Sequence, residues 1–167
     1  MVRAGLVAVV LASASGCSLV LDFSPGAIPV DAPPYSQREC EYGEPNNAPE
    51  EATALTTEDT GPAAICGGAG DPEDHDFYRF TVPPNTARVS VRVTFAGPDG
   101  DLDLRITDAA GAMVGQSRGF GDEEFVVCPG ASPRCPQLAS GDYVFEVFPA
   151  KVGAVNRYEI ALSIAPM

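Results

Sequence analysis

Two short acidic runs hold the residue types best suited to chemistry. Glu44, Asn46 and Asn47 fall within "ECEYGEPNN" (39–47), and Asp71, Glu73, Asp74 and Asp76 crowd into "DPEDHD" (71–76). Carboxylates and amides at this density offer the six to eight oxygens that calcium takes. The competing use is structural, because Asn and Asp also cap turns through side-chain bonds to backbone amides. His75 is the single histidine and stands between Asp74 and Asp76, where it could be oriented as a general base. A serine hydrolase also needs a nucleophile on a constrained turn, and no G-x-S-x-G exists. A zinc hydrolase needs more histidines than this. His75 therefore reads as an exposed turn residue. The run "DGDLDL" (99–104) resembles the start of a calcium-binding EF-hand loop but lacks its Gly and distal Glu. It reads as a turn entering a strand. Carboxylates paired for glycoside hydrolysis would want an aromatic sugar cleft, and the chain has no Trp.

The elements that must position these residues alternate with period two. "DFYRFTV" (76–82) puts Tyr78, Phe80 and Val82 on one face, and "ARVSVRVTF" (87–95) does so with Val89, Val91, Val93 and Phe95. Leu102, Leu104 and Ile106 alternate with Asp101, Asp103 and Arg105. Tyr143, Phe145 and Val147 share a face, as do Tyr158, Ile160, Leu162 and Ile164. "EEFVVC" (123–128) is apolar on both faces, and "AAICGG" (63–68) and "AMVGQS" (112–117) complete the set. Turn residues separate the runs, as in Pro83-Pro84-Asn85 and Gly97-Pro98-Asp99-Gly100. Repeated alternation of this kind predicts antiparallel sheets with one wet face. The expected fold class is all-β: an antiparallel β-sandwich of about eight strands. The one helix candidate is a turn or two within 48–54.

Composition agrees. The 167 residues are 45% hydrophobic and 20% charged, with 17 Gly and 16 Pro to make turns. A net charge of −13 speaks against nucleic acid or an anionic membrane surface as partner, and makes a divalent cation a sensible ligand. Residues 1–16 read as a signal peptide, with Arg3 ahead of an apolar run too short to span a bilayer. They end in Ala14-Ser15-Gly16-Cys17, which resembles the bacterial lipobox. That resemblance implies a lipidated Cys17 anchoring an exported protein to the cell envelope, at the outer membrane or cell surface. Residues 17–38 carry four prolines and read as a tether; residues 39–167 read as the sandwich. Without Cys17 four cysteines remain, an even number in an exported chain, with three possible pairings. Cys128–Cys135 closes easily over a Pro/Gly loop, which leaves Cys40–Cys66. A four-cysteine zinc site would want C-x-x-C spacing, which is absent.

The order of the motifs is the most specific signal. "EPNN" (44–47), "DHDFYRFTV" (74–82), "DGDLDLRITDAAG" (99–111), "SGDYVFEVFP" (140–149) and "YEIALSI" (158–164) follow one another. Together they resemble the bacterial pre-peptidase C-terminal domain over roughly residues 40–165. The resemblance implies a jelly-roll-like sandwich that accompanies exported enzymes without catalysing. Related collagen-binding modules of bacterial collagenases hold calcium through the matching segments. That likeness implies a calcium site of Glu44, Asn46, Asn47, Glu73 and Asp76. One acid of those modules is replaced by Tyr42 here.

The expectation is thus a non-catalytic exported lipoprotein, held to the membrane by an N-terminal lipid. Its sandwich would serve as a calcium-stabilised binding or adhesion module for an extracellular polymer or protein. An accessory subunit of a separately encoded secreted protease or other hydrolase is the alternative. A small hydrolase in its own right is the third reading.

Overall fold

The computed structural model describes residues 43–57, 62–66, 74–131 and 134–167, all within the unit Pro33–Met167. Eleven strands are described: β1 (Thr53–Ala54), β2 (Pro62–Ile65), β3 (Asp76–Val82), β4 (Thr86–Phe95), β5 (Leu102–Asp108), β6 (Met113–Ser117), β7 (Glu123–Cys128), β8 (Gly130–Ala131), β9 (Arg134–Cys135), β10 (Gly141–Pro149) and β11 (Asn156–Pro166). Short 3₁₀ turns at Pro49–Glu51 and Gly97–Asp99 are the only helical pieces among the described residues. The eight expected strands are all present. The additions, β1, β8 and β9, are two residues each, too short for period two to register.

The strands form two main sheets, ordered β1-β3-β10-β5-β6 and β2-β11-β4-β7, with β8-β9 as a small hairpin. Pairing is antiparallel except between β1 and β3. The inward rows are those that alternation assigns: Tyr78, Phe80 and Val82 from β3, Leu102, Leu104 and Ile106 from β5, and Phe145 and Val147 from β10. Val89, Val91 and Val93 from β4 and Tyr158, Ile160 and Leu162 from β11 face them. Full burial of each large apolar side chain contributes about 1.5–3 kcal/mol, so the two rows hold the sheets together. Cys128 and Cys135 are disulfide-bonded with Cα atoms 4.9 Å apart, closing the loop that carries β8 and β9.

The outer face of the five-stranded sheet is drier than a wet face should be. Asp103, Glu146 and Phe148 point outward, yet all are buried. Arg105 and Arg118 lie over the Phe148 ring, their guanidinium carbons 5.4 and 5.2 Å from its centroid, and His75 approaches it from 5.7 Å. Long cationic side chains and one imidazole thus roof this patch.

Candidate metal centre

The first acidic run is delivered to the edge of β3 by backbone bonds. Gly43 adopts a left-handed turn (φ 83°), and its carbonyl accepts the Thr53 hydroxyl at 2.5 Å. Asn46 O accepts the Phe77 amide at 2.9 Å, and β1 then runs parallel to β3. Glu44 therefore lies beside the start of β3. Asp76 is the first residue of that strand and in phase with Tyr78 and Phe80, so its side chain points inward. Asp74, two residues earlier, is also buried, and one of its carboxylate oxygens accepts the Cys66 amide at 2.6 Å. Carboxylate oxygens from Glu44, Asp74 and Asp76 all lie within 4.8 Å of one another.

The Tyr158 hydroxyl, reaching across from β11 in the other sheet, donates to Asp76 Oδ2. The Tyr158 and Tyr78 hydroxyls are 2.7 Å apart, so a buried chain of hydrogen bonds links the two sheets to the carboxylate. Among the described residues, Asp76 pairs with no Arg, Lys or His. Burial pushes its carboxyl well above the usual carboxylate range. The Tyr158 bond lowers it in part, and the charges of Asp74 and Glu44 raise it further. Burial also pushes the Tyr158 hydroxyl up, aided by Asp76.

Two amides complete the cluster. One end of the fully buried Asn46 amide lies 3.1 Å from Glu44 Oε2 and 3.2 Å from Asp76 Oδ1. One end of the Asn47 amide lies 2.7 Å from Asp74 Oδ1 and 3.2 Å from the His75 carbonyl oxygen. With nitrogen at those ends, each contact is a hydrogen bond. A half-turn puts oxygen there instead, among oxygens that cannot donate. An oxygen cage of that kind fits a hard divalent cation: carboxylates, amides and a carbonyl match calcium's preferences.

Among solved structures, the chain is similar to the pre-peptidase C-terminal domain of a collagenase from Bacillus anthracis. The TM-score is 0.53 at 18% identity, over 71% of this chain and 100% of that one. The fold is that of a pre-peptidase C-terminal domain. No family model matches the sequence, and no curated protein does.

Within the pre-peptidase C-terminal fold, the structure brings together Glu44, Asn46, Asn47 and Asp76 of the residues singled out from sequence. Glu73 lies outside the described residues, as do Asp71, Cys40 and the Cys17 lipidation site. Cys66 is disulfide-bonded to a partner outside them. Asp74 joins the cluster where the family pattern points to Glu73. Its signal was in the sequence: counting back by two from Asp76 puts Asp74 on the inward row.

His75 is not an exposed turn residue. It is half-buried, stacks on Phe77 with centroids 6.5 Å apart, and sits 2.7 Å from Glu146 Oε1. The reason is local: its neighbours point inward, so its ring turns onto the outer face. There Glu146 also accepts Arg105 Nε at 2.7 Å and a second bond from Arg105 Nη2. The imidazole is thus held on the outer face by a carboxylate that also binds a guanidinium. No described serine hydroxyl bonds to it.

Proposed function

We propose that this chain is an exported, lipid-anchored, non-catalytic binding module whose calcium site clasps the start of the domain onto β3. The observation that carries the calcium reading is the meeting of Glu44, Asp74 and Asp76, whose carboxylate oxygens lie within 4.8 Å of one another. In this reading Glu44, Asp74 and Asp76 supply carboxylates, and Asn46, Asn47 and the His75 carbonyl supply neutral oxygens. Calcium would supply a positive charge that Asp76 lacks among the described residues. Export and lipid attachment rest on the signal-like residues 1–16 and on Cys17. No helix among the described residues is long and apolar enough to cross a membrane.

The reading is tested by melting the full chain in excess calcium and in chelator. A ligand bound only to the folded state stabilises it by mass action, about 2.7 kcal/mol at a hundredfold excess over Kd. A rise in Tm with calcium is expected. An unchanged Tm in a chain stripped of metal and then reloaded defeats the site. Membrane attachment is tested by Cys17→Ser, which should release the chain from the membrane fraction. The likeness to a collagenase domain favours a second reading, an accessory subunit of a separately encoded secreted enzyme. Co-purification of such an enzyme with the detergent-solubilised chain would support it over a free-standing binder.

A further inference from the structure

The two main sheets have four edges, and three of them are protected. β1 is two residues long, β2 opens with Pro62, and β7 carries Glu123 with Glu124 pointing into the sandwich. Short length, proline and inward charge are the devices by which sheets discourage pairing with a further strand. β6 has none of them: its five residues, Met113 to Ser117, hold neither charge nor proline.

A groove of about 640 Å³ runs along β6, lined by residues 113–119 in unbroken succession together with Arg134 and Pro136. Side chains of a strand alternate between faces, so a cavity touching seven consecutive residues follows the strand's edge rather than either face. The far wall is the disulfide-closed hairpin. Gly115 faces the core, where an added Cβ would stand 2.9 Å from Val126 Cγ1 and 3.2 Å from Cys135 Sγ, so the absent side chain lets the disulfide pack against the inner face of β6. The charged lining residues are Arg134 and Arg118, the latter also 3.5 Å from Asp103, and no acid lines the groove. In a chain of net charge −13 this is a stretch of positive lining.

We propose that the β6 edge is a docking site for an extended acidic segment of a partner protein, added to the five-stranded sheet as a further strand. Main-chain bonds to β6 would give affinity, and the two arginines would select carboxylates. Five residues in extended conformation span about 17 Å, enough for a short linear motif. The site lies on β6, apart from the Glu44–Asp76 cluster on β3, and requires no calcium.

The test titrates the nitrogen-15-labelled full chain with acetyl-ETVEVTSE-amide and, separately, with acetyl-KTVKVTSK-amide. The acidic peptide should shift the amides of 113–119 and slow their hydrogen exchange. Arg134→Glu, and separately Gln116→Glu at an exposed edge position, should each weaken it about tenfold while leaving the rest of the spectrum in place. Equal affinity for the lysine peptide, or no shift at about millimolar peptide, overturns the proposal. So do shifts centred on Phe77 and Val144 on the outer face. Shifts along β6 that depend on protein concentration without peptide would assign the edge to a second copy of this chain, and also overturn it.

Discussion

Asp76 and Glu146 lie on paired strands, one position out of register, and are 2% and 3% exposed. They are held in opposite ways. Glu146 faces outward and is neutralised by the protein itself, through Arg105, with His75 Nδ1 2.7 Å from its other carboxylate oxygen and Phe148 beneath the guanidinium. Asp76 faces inward and accepts the Tyr158 hydroxyl, with one end of the Asn46 amide 3.2 Å from its other oxygen and two further carboxylates nearby. A buried carboxylate needs a counter-charge, a proton or several donors. Glu146 has its counter-charge within the described residues. Asp76 does not, and the proposed cation would answer that difference.

The comparison can be broken from either side. The largest effect is expected from Arg105→Ala, which strands a buried carboxylate and should cost about 3 kcal/mol in chemical denaturation. The stabilisation by calcium should be unchanged in that variant, because Glu146 is not part of the site. Tyr158→Phe comes next. It removes the donor to Asp76 and should cost about 2 kcal/mol in chelator, with calcium restoring part of the loss. Asp76→Asn should do the reverse of what a salt-bridge argument expects. In chelator at pH 8 it should raise stability by about 1 kcal/mol, because it removes a charge that burial disfavours, and it should abolish the calcium response. A wild-type chain more stable than Asp76→Asn in chelator would contradict the account of Asp76.

The smallest effect concerns Asp103, on the roofed outer face. Burial pushes its carboxyl up to about 6; Arg118 lowers it in part, and Glu124 and Asp101 raise it. The folded state therefore holds this proton more tightly than the unfolded chain, where Asp titrates near about 3.9. That contribution to stability is complete below about pH 4 and is lost as pH rises through about 6. Asp103→Asn does not titrate. Wild type should lose stability relative to it across this window, and parallel melting curves would remove Asp103 from the argument.

Much of the scaffold was legible because period two is a strong local signal. The rows Tyr78-Phe80-Val82 and Val89-Val91-Val93 face the core as alternation assigns them. The short Pro/Gly loop between Cys128 and Cys135 likewise announced its closure. Alternation names a side chain's face and says nothing of what covers that face. Asp103 was therefore placed on the wet face, although Arg118 reaches it there, and nothing in the alternation told that Arg105 and His75 cover Glu146 and Phe148. For the cluster, the order of motifs pointed to Glu44, Asn46, Asn47, Glu73 and Asp76; Glu73 lies outside the described residues, and Asp74, whose phase with Asp76 went unread, is the acid found there. The bare edge at β6 was invisible in sequence, since which strands end a sheet depends on long-range pairing.

Tyrosine-sensitised terbium luminescence tests the central claim most directly. The chain has no Trp, and the Tyr158 hydroxyl touches Asp76, so a lanthanide in the cluster would sit beside its sensitiser. Terbium added to the metal-stripped chain should emit on tyrosine excitation. Calcium should quench that emission by competition, Glu146→Gln should preserve it, and Asp76→Asn should remove it. Absence of sensitised emission, or emission that survives Asp76→Asn, would contradict a cation site at Glu44, Asp74 and Asp76.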